Sequence, residues 1–223
     1  MSTAIKFTGA FTNRAGMRQL IAAPTAIAGA VRDYAAQTLS VGTLATWPEM
    51  NGGVDMTTTG SPTVVAEDGL RFLRFSGSGQ WAKEDTVARA QPHTIFVRYR
   101  LQGTPIANGA IVASALGSGV NFSLNTTPTN VQLFAGTALS PTVSVMDTNW
   151  HSAVLVVNGA SSVLNIDGIE KTGSVGAQNA TGLRLAAGAL TPSIFTRVDI
   201  ARVGIISHAA DATERAAILA ELS

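Results

Sequence analysis

Chemistry in this chain would have to come from a short roster of side chains. Glu84 and Asp85 are adjacent, so on a strand they point to opposite faces and cannot flank one bond. Asp167 precedes Gly168 in a turn signal, and Asp199 stands alone inside an apolar run. Cleaving a glycosidic bond takes two carboxyl groups roughly 5–9.5 Å apart, and the sequence offers no run that sets such a pair on one face. The three histidines, His93, His151 and His208, lie far apart without ligand spacing and read as strand-end or surface residues. Cysteine is absent, which excludes disulfides, thiolate metal sites and cysteine nucleophiles. There is no Gly-x-Ser-x-Gly and no phosphate loop with its lysine. The expectation is a non-enzymatic protein with no catalytic residues, no cofactor and no metal. Trp47, Trp81 and Tyr99 carry rings that stack on sugars, but aromatic residues are only 6% of the chain, and at least two of these three are expected to anchor the core.

The other candidate function is assembly. Residues 1–24 hold Lys6, Arg14 and Arg18, with Arg32 just beyond, and no acid occurs before Asp33. Phe7, Phe11, Met17 and Leu20 give the same stretch an apolar side. Ala4–Thr8 is a possible short strand, and Thr12-Asn13 offers a helix N-cap before Arg14–Ala22. Two roles fit: an arm that docks on a partner subunit, or a terminal strand and helix packed on the chain's own domain. An edge strand here could also extend a partner's sheet.

The elements that must position these residues are mostly strands. Trp150 to Gly168 organises the chain. Trp150, Val154 and Val156 share one face of a strand, and Ala153, Leu155 and Val157 share the other, so the strand is apolar on both sides and expected to be central. Asn158-Gly159 is expected to make a tight hairpin turn. Leu164 and Ile166 then alternate with Val163, Asn165 and Asp167, and Asp167-Gly168 makes the next turn. Such a hairpin must be covered by another layer. Further strands are expected at Leu70–Phe75, His93–Leu101, Ala110–Ala115, Asn121–Asn125, Val131–Ala135, Thr142–Asp147, Leu183–Ala187 and Val198–Ile206. Turn signals recur about every 8–12 residues, the mark of a sandwich. Residues 25–48 fit a helix or a strand. Asp211 and Glu214 form a capping box for a helix at 212–222, with Ile218, Leu219 and Leu222 on one face.

At 223 residues the chain is long enough for one sandwich domain with a sizeable core, so the reading is an arm at 1–24 and a sandwich at 25–223. Charged residues are 13% and the net charge is +1, which leaves no electrostatic footprint for nucleic acid or an anionic membrane. No apolar run approaches a membrane span, and residues 1–10 lack a signal-peptide pattern, so synthesis in a cytoplasm is expected.

The order of motifs resembles a known family. Trp47-Pro48-Glu49-Met50-Asn51-Gly52-Gly53 is followed by Gly69 to Gly77, then Pro92-His93-Thr94-Ile95-Phe96-Val97. Trp150 to Gly168 comes next, and Arg197 to Ile206 closes the series. Over roughly residues 27–206 this resembles the laminin-G-like, concanavalin-A-like jelly-roll modules. The resemblance implies an all-β fold of two antiparallel sheets. Within that family, cysteine-free, Thr/Ala/Gly-rich chains ending in a short helix look like virion proteins of tailed phages. That implies a structural protein of tail, baseplate or capsid decoration, oligomeric and partnered by other virion proteins. The alternative is a carbohydrate-binding module that recognises a host-surface glycan, and a third reading is a degraded glycosidase. The Glu-x-Asp-x-x-Glu run of the family's hydrolases is missing. Modules of this kind often bind calcium at a loop rim, where Asp147 and Asn149 could contribute oxygens or equally form a turn before Trp150.

Overall fold

A computed structural model describes residues 24–103, 106–116, 119–124, 129–188 and 194–223. The expected arm at Lys6, Phe7, Phe11, Arg14, Met17, Arg18 and Leu20 lies outside the described residues.

The chain folds into two antiparallel sheets packed face to face, a jelly-roll sandwich. The first sheet runs β15 (Ile169–Gly173), β14 (Ser162–Ile166), β13 (His151–Val157), β8 (His93–Leu101), β17 (Arg197–Ile206), β6 (Leu70–Ser76), β5 (Thr63–Glu67) and β2 (Gly42–Thr43). β1 (Ala30–Ala35) also pairs with β17. The second sheet runs β12 (Ala138–Leu139), β11 (Val131–Phe134), β10 (Asn121–Leu124), β9 (Ala110–Ala113), β16 (Ala180–Leu185), β7 (Trp81–Arg89), β4 (Met56–Thr59) and β3 (Thr46–Trp47). Period-two alternation decides what each sheet buries. Tyr99, Leu101, Leu73, Phe75, Leu155, Leu164, Val198 and Ile200 of the first sheet meet Phe122, Leu124, Leu133, Leu183 and Leu185 of the second in one continuous core.

Strand β17 forks. Arg197–Ile200 pair with β6, and Arg202–Ile205 pair with β1, with a bulge at Ala201 where the pairing with β8 also shifts. The bulge restores the inward phase, so Val203 and Ile205 face the core as Val198 and Ile200 do. Gly204 is required beyond the fork: a Cβ there would lie 2.2 Å from the Phe96 ring and 2.3 Å from the Arg32 carbonyl.

The outer face of the first sheet is covered in part by α1 (Ala212–Leu222). Ile218 and Leu222 pack with Phe96, Val154, Val156, Val163 and Ile206 in a second apolar cluster, and Leu219 packs against it. The expected capping box is present, with Asp211 accepting from the Glu214 amide and Glu214 accepting from the Asp211 amide. This explains the doubly apolar β13: one face meets the opposing sheet and the other meets the helix.

Several expectations need correction. Trp150 has the expected phase but not the expected depth. It precedes β13, is half-buried, and lies on the outer face against Phe72 with ring centroids 5.2 Å apart. The Asn158-Gly159 hairpin is a longer link through a 3-10 turn at Gly159–Ser161, because Asn158 stays at negative φ and only Gly159 goes positive. Asp167 and Gly168 both have positive φ, as a two-residue hairpin turn demands. Thr142–Asp147 is no strand: Pro141 precedes it, Val145 alone is buried there, and the segment is held by side-chain bonds instead of a ladder. Within 25–48 the strand reading wins over Ala30–Ala35, where Tyr34 packs edge-on against Trp47 at 6.1 Å.

Candidate functional site

The outer face of the second sheet is uncovered by any helix among the described residues and presents a polar cleft. Its phase follows from the core: because Phe122, Leu124, Val131 and Leu133 point inward, Asn121, Ser123, Gln132 and Phe134 point outward. Register then brings them together, since Asn121 pairs with Phe134, Ser123 with Gln132, and Ser123 also with Ala110. With Asn108 and Gly188 these residues line a cleft of about 400 Å³. Asn108 sits at φ 59 in the turn closed by the Gly109 amide on the Ile106 carbonyl, a left-handed position that asparagine tolerates. The small Ala110 leaves the floor low. The Asn121 side-chain oxygen is buried in the cleft with no hydrogen-bond partner among the described residues, and Phe134 is half-buried with part of its ring open.

The cleft opens onto a longer strip. Arg184, between the inward Leu183 and Leu185, points outward beside Ala113 and is paired with Lys83, which is paired with Thr57. Arg184 donates to the Gly188 carbonyl at 2.9 Å and to the Ala115 carbonyl at 2.9 Å, which fixes the cleft's edge. Trp81 is half-buried here, its ring 5.2 Å from the Arg184 guanidinium and 5.8 Å from the Lys83 ammonium. From β11 to β7 the strip crosses four strand spacings, about 19 Å at roughly 4.8 Å each. Neutral amides, a hydroxyl, small residues and two aromatic rings on a shallow face give hydrogen bonding in several directions plus a stacking surface. That is the chemistry that matches a sugar, whose hydroxyls both donate and accept.

The residues singled out in the sequence fall elsewhere. Glu84 points into the interior, its Oε1 accepting from the Thr86 and Val87 amides, and Asp85 points outward to Lys83, so the two do diverge as strand neighbours should. Asp199 is far from alone. It is fully buried and held by Arg74 at 2.9 Å, Arg100 at 2.7 Å and the Gln102 side chain. The signal was the alternation that puts Arg74, Arg100 and Asp199 on one face of three neighbouring strands, which requires knowing the strand order. Asp147 accepts from the Asn149 amide at 2.7 Å, and this bond first, with His151 behind it, holds the Asp147 carboxyl below its ordinary range. Asp147 and Asn149 therefore form the turn. His151 bridges two carboxylates, Nδ1 at 2.6 Å from Asp167 and Nε2 at 3.0 Å from Asp147, and so ties the loop at 140–149 to the hairpin. Among the described residues no three His, Asp or Glu side chains gather as metal ligands. Of the three aromatic candidates, Trp47 and Tyr99 are wholly buried in the core, while Trp81 is on the outer strip.

The interior is unusually polar at one place. Arg89 is completely buried, donates among the described residues only to the Ser114 hydroxyl at 3.3 Å, and burial pushes its pKa down to about 9. His93, also buried, is pushed down to about 4, chiefly by desolvation and next by the Arg89 charge.

No family model matches the chain, and no curated protein does. Among solved structures it is similar to domain 4 of AbnA, a GH43 extracellular arabinanase from Geobacillus stearothermophilus, solved in complex with arabinotriose. There the TM-score is 0.65 at 12% identity, covering 87% of this chain and 98% of that one. It is similar to Trypanosoma rangeli sialidase, solved in complex with sialic acid, with a TM-score of 0.64 at 17% identity over 87% of this chain, but it spans only 33% of that enzyme. The binding domain of Paraclostridial Mosquitocidal Protein 1 matches with a TM-score of 0.61 at 12% identity, covering 83% of this chain and 52% of that one. At these identities the likeness is one of fold: the chain is an all-β sandwich of the architecture those proteins share.

Proposed function

We propose that the chain is a non-enzymatic carbohydrate-binding module that takes an oligosaccharide on the outer face of its second sheet. The observation that carries this reading is the cleft of Asn108, Asn121, Ser123, Gln132 and Phe134, with a buried amide oxygen that has no partner among the described residues. An unpaired buried acceptor costs about 1–3 kcal/mol, and a ligand hydroxyl repays that cost. Two of the three sandwiches described above are a glycosidase's accessory domain solved with a sugar and a domain called a binding domain, which supports the reading at the level of fold. Glu84, Asp85, Asp167 and Asp199 are each engaged by neighbouring amides, arginines, a lysine or a histidine, which favours binding over hydrolysis. A structural role in a virion rests on composition and resemblance alone.

The test is a screen of the purified chain on a glycan array, followed by titration calorimetry with the best ligand. Asn121→Ala and Phe134→Ala should each weaken binding about tenfold or more while melting within a few degrees of the parent. Undiminished affinity in both variants would remove the cleft from the site, and a ligand that is slowly cleaved would contradict the non-enzymatic reading.

A further inference from the structure

A second cleft, on the opposite side of the sandwich, is built differently. It opens at the fork of β17, where Ala35 at the end of β1 and Leu70 at the start of β6 diverge around the bulge at Ala201, and it is about 440 Å³. Leu222 at the end of α1 supplies another apolar wall. Three arginines border it, but two are already engaged. Arg202 is paired with the buried Asp33 at 2.6 Å, and Arg71 donates to the Leu39 carbonyl at 2.7 Å. Arg98 is the exception. Its guanidinium forms no ion pair or hydrogen bond with any described residue, and its Nε is buried without a partner. The Trp150 ring lies 5.9 Å from the guanidinium. Desolvation alone lowers the pKa of Arg98, with no carboxylate opposing it. The neighbouring arginine, Arg100, shows the contrast, because Asp199 and Glu67 both hold it.

We infer that this cleft is a binding site for a sugar acid, whose single carboxylate pairs with Arg98 at the floor. The planar fork of a guanidinium matches a carboxylate in two parallel hydrogen bonds. The rim argues for the rest of the ligand. Asp68 and Glu221 are exposed there and offer acceptors, which suit hydroxyl donors on the ligand body. The same two charges repel a dianion, so phosphate and sulfate are disfavoured and a monoanion rich in hydroxyls is preferred. Leu70, half-buried at the start of β6, offers the apolar contact for the ring's carbon face. The site is independent of the cleft on the second sheet and stands whether or not that one binds a glycan.

Titration calorimetry of the full chain with glucuronate, glucose, acetate and inorganic phosphate decides the matter. Glucuronate should bind, with each control at least about tenfold weaker: glucose for want of the charged hydrogen bonds, acetate for want of the hydroxyl-bearing ring, and phosphate for its second charge. Arg98→Gln should lose the glucuronate signal, and Arg98→Lys, which keeps the charge but not the fork, should weaken it less. Asn121→Ala should leave it unchanged. Circular dichroism verifies that each variant is folded, and if Arg98→Gln is not, Arg98→Lys carries the comparison. The inference fails if glucuronate gives no signal, if glucose or acetate binds as tightly, if phosphate binds better, or if a folded Arg98 variant binds like the parent.

Discussion

Arg89 is the side chain whose environment suits it least. Its Nε and Nη1 are buried with no partner, while its one acceptor, the Ser114 hydroxyl, also accepts from the Val120 amide. A buried cation so poorly matched costs several kcal/mol of desolvation, and replacing such groups with apolar ones of similar volume is often neutral or stabilising. Arg89→Met should therefore raise stability by about 1–3 kcal/mol in urea unfolding. A loss of more than about 1 kcal/mol would show that the guanidinium has a partner inside the sandwich worth more than its desolvation. None of this is visible in the sequence, where Arg89 closes the unremarkable run Trp81–Arg89; only the bulge in β7 at its pairing with β16 puts Arg89 in phase with the core. The same holds for the cleft on the second sheet. Asn121, Ser123, Gln132 and Phe134 alternate with core residues and so were legible as outward-facing, but their meeting depends on which strands are neighbours.

At the scale of elements, local signals did well where the physics is local. The capping box at Asp211 and Glu214 and the positive-φ turn at Asp167-Gly168 are set by side chains a few residues apart, and both are where the sequence places them. The Thr142–Asp147 segment misled because its alternating valines fit a strand, yet among the described residues it joins no ladder and is held by the Asn130 side chain on the Val143 carbonyl. Trp150 misled because alternation gives the face and not the cover: helix and opposing sheet both make a face apolar, and Trp150 lies beyond the helix's reach under arginines. The helix itself can be weighed. Asp211→Ala removes an N-cap and should cost about 1 kcal/mol, while Ile218→Ala opens a cavity under the helix and should cost about 2–4 kcal/mol. Chemical denaturation measures both, and an Ile218→Ala cost under about 1 kcal/mol would mean that α1 adds little to the fold.

For the molecule as a whole, acidity is the variable most directly tied to the interior. His93 has its folded pKa near 4 against an ordinary 6.5, so the unfolded chain takes up a proton that the folded one refuses. Above pH 6.5 this has no effect; between pH 6.5 and 4 stability should fall by about 3 kcal/mol, and below pH 4 the loss levels off. Asp147 and Glu170, whose carboxyls are held below their ordinary range by the Asn149 amide and by Arg215, begin to lose their contributions as pH falls through their ordinary values of 3.8 and 4.5 and lose them fully below their folded values. Urea midpoints measured across pH 4 to 7 should show the His93 slope, and His93→Gln should flatten it. An unchanged slope in that variant would assign the acid sensitivity to other groups.

Pro24 and Ser223 both border the cleft at the β17 fork. A polypeptide joined after Ser223 would be tethered on that one flank, close beside Arg98, while the polar strip of the second sheet points the opposite way. A module fastened in this manner works like a hand held at the wrist: whatever carries it can swing the palm toward a surface without covering it. Cargo fused after Ser223 would crowd the arginine cleft and leave the strip untouched.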